Sequence, residues 1–315
     1  MSFDALLGND RLKENLARSI GRGHISHFYL LTGPKGSGKH TLARLMAAAI
    51  LCREGNKPCL HCGPCRKVME GNHPDFITVE DPEHKNVAVK IVRQFREDVF
   101  IRPNESDHKI YLFPQELGLE GQNALLKILE EPPQYGVFLL LTDNPEKLLP
   151  TVRSRCTELK MQALPENILR ERLCRDFPKA GEEDITAAIG RSGGFLGQAK
   201  ELLESGGSLP PQTECFVKAF AAKNALELVR TLVPMEKWKR DALAEILRSW
   251  LELMEEALAS RSGIRALSPL ARELAKSRSS QELYEAASHL RKAVDYTMSN
   301  VSPAAVCGYL QWALR

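Results

Sequence analysis

A glycine-rich loop between an apolar run and a helical pattern restricts the folds open to this chain. Residues 33–40 read GPKGSGKH, which fits the phosphate-loop pattern G-x-x-x-x-G-K-[ST] except at its last position. The run at 28–31 (FYLL) predicts the strand that delivers such a loop, and 41–47 (TLARLMA) predicts the helix that leaves it. Backbone N–H groups at that helix N-terminus, together with Lys39, would hold phosphates. We therefore predict a phosphate-loop fold, and a glycine-rich turn that binds nothing stays open as the alternative.

Further apolar runs predict the rest of a parallel sheet. They lie at 76–79 (FITV), 109–113 (KIYLF) and 136–141 (GVFLLL), and the last two are typical of strands buried on both faces. Residues 118–130 between them predict a helix, which the following proline pair ends. Residues 1–165 are thus predicted to form an α/β domain in which crossover helices join parallel strands.

The second half of the chain has helical patterns in place of the apolar runs. Three short ones within residues 166–207 predict a small three-helix lid domain, and they lie at 167–177, 182–189 and 197–203. The segment 205–211 (SGGSLPP) has linker composition and predicts a boundary near 208. Apolar residues recur every three to four positions within 208–315, which predicts an all-α bundle. Those stripes would form either an internal core or, in part, contacts with other subunits.

Composition and charge exclude several classes of protein. Hydrophobic residues make up 43% of the 315 residues and charged residues 26%, which is typical of a globular protein. Because no run approaches the ~18 apolar residues of a membrane span, and the chain starts without a basic, apolar leader, a cytoplasmic protein without membrane contact is expected. The formal net charge of +3 is too small to indicate nucleic-acid binding.

The loop departs from the pattern at the residue that would hold Mg²⁺. Its candidate nucleotide-binding residues are Gly33, Gly36, Gly38, Lys39, His40 and Thr41. His40 stands where a hydroxyl would be required, and Thr41 lies about 100° further round the helix, so it is not a simple replacement. ATP or ADP is therefore expected to bind weakly or not at all.

The acidic half of a nucleotide-hydrolysing site is also missing. Such a site needs one carboxylate for the metal and another to polarise water at the end of a buried strand. The strand predicted at 109–113 runs instead into Pro114 and Gln115, while Glu116 and Glu120 lie beyond the required positions. No intrinsic ATPase activity is therefore predicted.

Four of the eight cysteines follow the loop's helix at close spacing. They form the pattern C-x6-C-x2-C-x2-C, and they are Cys52, Cys59, Cys62 and Cys65. Four thiolates make a closed tetrahedral Zn²⁺ site of the structural kind. A metal-free thiol cluster, a redox switch and His61 as a replacement ligand are the alternatives at this stage.

These features together resemble the AAA+ subunits of bacterial DNA polymerase III clamp loaders. The four-cysteine insertion after the loop's helix, residues 21–30 (GRGHISHFYL) before the loop and residues 122–133 (QNALLKILEEPP) are similar to that family. The most specific match is 148–156 (LLPTVRSRC), which carries a Ser-Arg-Cys motif at Ser154, Arg155 and Cys156. The resemblance implies an AAA+ domain with an inserted zinc module at about 52–65, a lid, and a C-terminal collar that oligomerises.

The departures suggest which kind of subunit this is. An ATPase motor of the family would keep a Ser or Thr after Lys39, an Asp-Glu pair at 114–115 and an arginine where Gly197 stands. The motif's arginine is retained, and the resemblance implies that Arg155 acts in trans, on the γ-phosphate held by a neighbouring subunit; a solvated loop arginine is the alternative. The resemblance thus implies a non-hydrolysing subunit of the delta-prime type, with no catalytic residue acting in cis.

The partners implied by the resemblance are gamma/tau ATPase subunits and a delta subunit in a hetero-pentamer, which contacts the sliding clamp and primed DNA. Two other functions compete with this one. The chain could be an active DNA-dependent ATPase motor in which Thr41 and Glu116 compensate, or a zinc-dependent nucleic-acid binder. The cysteine segment lacks aromatic residues for base stacking, which argues against the last.

Overall fold

A computed structural model describes residues 3–84, 86–204, 210–263, 268–299 and 301–314. The chain separates into two compact units, one formed by Met1–Pro178 with Ser192–Glu201 and the other by Lys179–Arg191 with Leu202–Arg315. The predicted boundary at 208 and most of the predicted linker lie outside the described residues. The division into three domains stays a prediction.

The first unit contains a parallel sheet. Its strands are β1 (Phe28–Thr32), β2 (Phe76–Thr78), β3 (Lys109–Phe113), β4 (Gly136–Thr142) and β5 (Thr157–Lys160). They lie in the order β2-β3-β4-β1-β5, and every pairing is parallel. The α/β class and the first four strands were predicted from apolar runs and are confirmed. We did not predict β5, because three of its four residues are exposed and it has no apolar run.

Helices cover both faces of this sheet. Those of the α/β region are α1 (Asp10–Gly21), α2 (Lys39–Leu51), α3 (Gly63–Glu70), α4 (Val89–Asp98), α5 (Leu119–Glu130) and α6 (Pro150–Arg153). Alternate residues of β1 enter two separate cores. Tyr29 and Leu31 pack with α1, α2 and α3, whereas Phe28 and Leu30 pack with α4 and α5. The continuous apolar strands are thus explained by burial on both faces.

The carboxyl ends of the central strands meet at one edge of the sheet. Thr32 of β1 lies beside Thr142 of β4, and Phe113 of β3 lies beside Leu140 of β4. The phosphate-loop segment after β1 and the segments that follow β3 and β4 therefore lie near one another, at the edge where parallel sheets bind ligands.

Three short helices follow the α/β region, close to their predicted positions. They are α7 (Glu166–Asp176), α8 (Glu182–Arg191) and α9 (Leu196–Glu204). The prolines, glycines and apolar periodicity that predicted them thus mark real helix boundaries to within about two residues.

The C-terminal part of the second unit is helical, as its apolar periodicity predicts. Its helices are α10 (Pro211–Ala221), α11 (Ala225–Leu232), α12 (Arg240–Arg261), α13 (Pro269–Ser277), α14 (Ser280–Met298) and α15 (Pro303–Ala313), with a 3-10 helix at Val233–Lys237. Trp250 at its core stacks on Phe216 with ring centroids 3.9 Å apart, and its indole N–H donates to the buried Thr213 hydroxyl. Most apolar residues of these stripes pack into an internal core, while Trp238, Leu251, Leu258 and Val294 are only partly buried. No helix within the described residues combines the length and apolar character that crossing a membrane requires.

Candidate nucleotide site and metal centre

The glycine-rich loop joins β1 to α2 in the way that the sequence predicts. Gly33 N donates to the carbonyl of Thr142 at 3.3 Å, which ties the start of the loop to the end of β4. Gly38 precedes the first residue of α2 with φ 95°, a conformation that glycine adopts without strain. The helix N-terminus therefore begins inside the loop, as a phosphate cradle requires.

Lys39 is buried in the loop, with 6% of its side chain exposed. Its ammonium donates to the carbonyls of Gly33 and Pro34. It also donates to a carboxylate oxygen of Asp143 at 2.6 Å, and this is the ion pair that neutralises its charge. A lysine ammonium has three N–H donors, and these three oxygens account for all of them.

His40 and Thr41 are exposed on the first turn of α2. Desolvation, followed by the nearby charges of Lys39 and Arg44, lowers the pKa of His40. A neutral imidazole is a poor replacement for a hydroxyl, because Mg²⁺ strongly prefers oxygen ligands.

Gln115 has a structural partner at the end of β3. Its amide oxygen accepts from Asp81 N at 2.7 Å, and its amide nitrogen donates to the Asp81 carbonyl at 2.8 Å and to the His84 carbonyl at 3.2 Å. The Gln115 side chain thus holds residues 81–84, which follow β2, against the end of β3. A carboxylate at 115 would lose both donated bonds and would face two carbonyl oxygens instead.

The nearest carboxylate beyond Gln115 is also engaged. Glu116 binds the Lys147 ammonium through both of its oxygens, at 2.9 and 3.1 Å. Proline at 114 offers no side-chain ligand. Within the described residues, the end of β3 therefore presents no carboxylate that is free of a cation partner at positions 114–116.

Gly197, at the start of α9, lies directly against the loop. Its N–H donates to the carbonyl of Gly36 at 2.9 Å, and an added Cβ at Gly197 would lie 2.5 Å from the Gly36 Cα. A Cβ at Gly36, where φ is 77°, would lie 2.5 Å from Gln198 N. A side chain at 197, such as the arginine that a motor subunit would carry there, would therefore require the two backbone segments to move apart. A further ion pair, Lys35 with Glu201 at 2.8 Å, joins the same two segments.

The Ser-Arg-Cys motif follows α6 and leads into β5. Arg155 donates to the carbonyl of Thr151 at 2.9 Å and pairs with Glu130 at 3.5 Å, while 40% of its side chain stays exposed. Ser154 is exposed, whereas burial raises the pKa of the Cys156 thiol to about 11. Because exposed ion pairs contribute little, the Arg155 guanidinium can exchange Glu130 for another anion at small cost.

The four predicted metal ligands lie together beside α2 and α3. The sulfurs of Cys52, Cys59, Cys62 and Cys65 all lie within 4.8 Å of one another, and the Cys52–Cys62 and Cys59–Cys65 pairs are each 3.9 Å apart. A tetrahedron with zinc–sulfur bonds of about 2.3 Å has sulfurs about 3.8 Å apart. The cluster therefore fits a tetrathiolate Zn²⁺ centre.

One thiol of the cluster already favours the ligating form. Burial opposes ionisation of Cys59, but the amides of His61 and Cys62 outweigh it and lower the pKa of that thiol to about 6. Burial raises the pKa of Cys52 and of Cys65. Metal binding would have to release protons from those two thiols, since the thiolate is the ligand.

The sequence analysis missed Asp143 as part of this site. It is the first residue after β4, and β4 pairs with β1, which delivers the loop. A polar residue at the carboxyl end of a neighbouring parallel strand is the signal that could have identified it.

The profile of a protein family described as "DNA polymerase III, delta subunit" matches residues 8–165, which is half of the chain. The chain belongs to this family. The match covers the five strands and the loop, Asp143 and the Ser-Arg-Cys motif that follows β4.

Three curated relatives carry DNA polymerase III names. The chain is 33% identical over 211 residues to subunit gamma of Buchnera aphidicola, covering 64% of this chain and 58% of that protein. It is 31% identical to subunit tau of Escherichia coli, covering 74% of this chain and 38% of that protein. It is 33% identical to subunit delta' of Bacillus subtilis, covering 58% of this chain and 54% of that protein. The chain thus spans between about a third and three fifths of these relatives.

Two of the solved structures that match this chain come from Thermotoga maritima. A DNA polymerase III gamma subunit-related protein is 17% identical with a TM-score of 0.48, covering 96% of this chain and 99% of that one. The RuvB Holliday junction branch migration motor is 16% identical with a TM-score of 0.45, covering 87% and 89%.

Proposed function

We propose that this chain is a non-hydrolysing clamp-loader subunit of the delta-prime type, acting within DNA polymerase III. Membership of the DNA polymerase III delta-subunit family supports the setting. One observation carries the non-hydrolysing part: Gln115 stands where hydrolysis needs a carboxylate, and its amide binds the backbone of Asp81 and His84. A neutral amide whose oxygen and nitrogen both bind backbone atoms cannot act as the general base for an attacking water.

Two further departures support the same proposal. His40 replaces the hydroxyl that would bind Mg²⁺, and Gly197 lies so close to Gly36 that an arginine there would require the two backbone segments to move apart. Each change removes a separate part of the hydrolytic mechanism, so restoring one of them would leave the others absent.

Arg155 gives such a subunit a part in hydrolysis elsewhere. We propose that its guanidinium leaves Glu130 on assembly and completes the ATP site of a neighbouring gamma/tau subunit. Its exposure and its weak surface ion pair support this role. Positive charge next to a transferring phosphoryl group stabilises the negative charge that develops there, and arginine fingers accelerate the reaction about 10³–10⁵-fold in well-studied NTPases.

The four cysteines would hold a structural Zn²⁺ ion. When bound, the ion supplies a cross-link and no catalysis, because four thiolates leave no open coordination position. Cys52 directly follows α2 and Cys65 lies in α3, so the ligands would join these helices to the segment between them. This module and the parallel sheet with its phosphate loop together support an AAA+ domain.

The remaining partners follow from the same proposal. The subunit would assemble with gamma/tau and delta subunits into a hetero-pentamer, in the cytoplasm, through a collar formed by residues 208–315. Contact with the sliding clamp and with primed DNA would be made through the complex.

An active motor is the second candidate, because relatives with similar identity are named gamma and tau. The structural obstacle is that Glu116, which would have to act as base, is paired with Lys147. Measuring ATP turnover by the purified chain with Mg²⁺ and primed DNA separates the two. The proposal predicts no turnover above that of the Lys39→Ala variant, whereas turnover that this substitution abolishes would establish the motor.

A further inference from the structure

The three partners of the Lys39 ammonium differ in kind. Two are carbonyls of the loop itself, from Gly33 and Pro34, and they are uncharged. The third is the carboxylate of Asp143, at 2.6 Å. A phosphate oxygen that bound Lys39 would therefore have to displace one of these oxygens, and the only anion among them is Asp143.

The backbone holds Asp143 next to the loop. Thr142 ends β4, its buried hydroxyl donates to the carbonyl of Asn144 at 3.0 Å, and Asn144 N donates back to that hydroxyl at 3.1 Å. The Asn144 side chain then accepts from Glu146 N at 2.9 Å, which caps the 3-10 helix Pro145–Lys147. Asp143 thus lies on a turn fixed on both sides, while Gly33 N binds the carbonyl of Thr142.

From this geometry we propose that Asp143 is an internal anion of the phosphate loop and occupies the place of a nucleotide phosphate on Lys39. The inference rests on the proposed function and deepens it, because it explains how a loop that keeps its lysine would bind nucleotide only weakly. Two effects act together. The carboxylate takes the third ammonium donor, and its negative charge repels the phosphates of an incoming ADP or ATP.

The ligand class that the loop would take once this anion is removed is a diphosphate or triphosphate. The Asp143 carboxylate is 58% exposed, so water screens part of its charge and the gain on removing it is moderate. We expect Asp143→Asn to tighten binding of ADP by about tenfold.

The test uses the full-length chain and fluorescent N-methylanthraniloyl-ADP, with binding followed by anisotropy at fixed salt. Inorganic pyrophosphate, added as a competitor, reports on the phosphates alone. Asp143→Asn should bind the probe about tenfold more tightly than wild type, and pyrophosphate should displace it. Asp143→Thr also removes the charge and should bind the probe as tightly as Asp143→Asn. This second variant keeps the test informative if Asp143→Asn fails to fold.

Two controls separate this contact from a general change in charge. Glu201→Gln removes one carboxylate that pairs with the exposed loop residue Lys35, and it should change affinity less than twofold. Combining Asp143→Asn with Lys39→Ala should abolish the gain. The proposal is overturned if both Asp143 variants bind like wild type, if Glu201→Gln binds as tightly as they do, or if the gain survives without Lys39. Turnover by the wild-type chain would overturn the proposed function instead, so the two failures are distinguishable.

Discussion

Replacing Gln115 with glutamate restores the carboxylate that a hydrolytic site would have at the end of β3. In this chain the substitution removes the two bonds donated to the carbonyls of Asp81 and His84, at 2.8 and 3.2 Å, and turns an anion toward both. At about 1 kcal/mol for each lost hydrogen bond, the free energy of unfolding of the first unit should fall by about 2 kcal/mol. For a unit of this size the midpoint of thermal unfolding should fall by about 4–8 °C.

The chain carries its own optical control for this measurement. Trp238, Trp250 and Trp312 are the three tryptophans, and all lie in the second unit. Far-UV circular dichroism follows the helices of both units, while tryptophan fluorescence follows only the second. Gln115→Glu should lower the midpoint of the unfolding transition of the first unit, which dichroism detects. The transition seen by tryptophan fluorescence should keep its wild-type midpoint.

Gln94→Glu is the matched variant, since Gln94 is exposed on α4 and undergoes the same chemical change. It should stay within about 0.5 kcal/mol of wild type. If Gln115→Glu were as stable as Gln94→Glu, or if it hydrolysed ATP, the structural role assigned to Gln115 would be refuted.

Two more predictions concern the metal centre and acid stability. Freshly reduced protein should contain about one zinc per chain by elemental analysis. The Cys62→Ser variant should lose the zinc, and Cys174→Ser, which changes an exposed cysteine outside the cluster, should keep it. Wild-type protein without zinc would contradict the site. Burial opposes ionisation of the Asp75 carboxyl group. Hydrogen bonds from the backbone amides of Asn104 and Glu105 outweigh this effect and lower the pKa of Asp75. A lowered folded pKa stabilises the protein above the unfolded value of about 4, and this stabilisation is lost as the pH falls. Asp75→Asn should therefore be less stable than wild type in urea at pH 7 and approach it below about pH 4, whereas an equal difference at every pH would disprove the link.

The strands that could be predicted are those whose burial is visible in their own residues. β3 and β4 are buried on both faces and are continuous apolar runs, so pattern and structure agree. β5 pairs along only one side, with β1, and exposes Thr157, Glu158 and Lys160. Its position depends on pairing with a strand more than 120 residues earlier, which no local pattern records.

The candidate site divides in the same way. The loop, the missing carboxylates and the cysteine cluster are encoded in short contiguous segments, and all were expected from the sequence. The reasons for two departures are not local: Gln115 binds Asp81, which lies 34 positions earlier, and Gly197 contacts Gly36 across a gap of 161 residues. Asp143 meets Lys39 only because β4 lies beside β1. The departures from the hydrolytic pattern could be read from the sequence, but the contacts that Gln115, Gly197 and Asp143 make required the fold.

The most direct test of the proposed function is the ATPase rate of the reconstituted clamp loader carrying Arg155→Ala. Arg153→Ala is the matched control, since its side chain is 39% exposed against 40% for Arg155 and also pairs with surface carboxylates. Both variants should co-elute with gamma/tau and delta subunits. In a pre-steady-state burst of ATP hydrolysis, Arg155→Ala should lose the amplitude of one ATP site, because a finger contributes about 10³–10⁵ in rate, and Arg153→Ala should retain it. An unchanged burst with Arg155→Ala, in a complex of normal composition, would contradict the account.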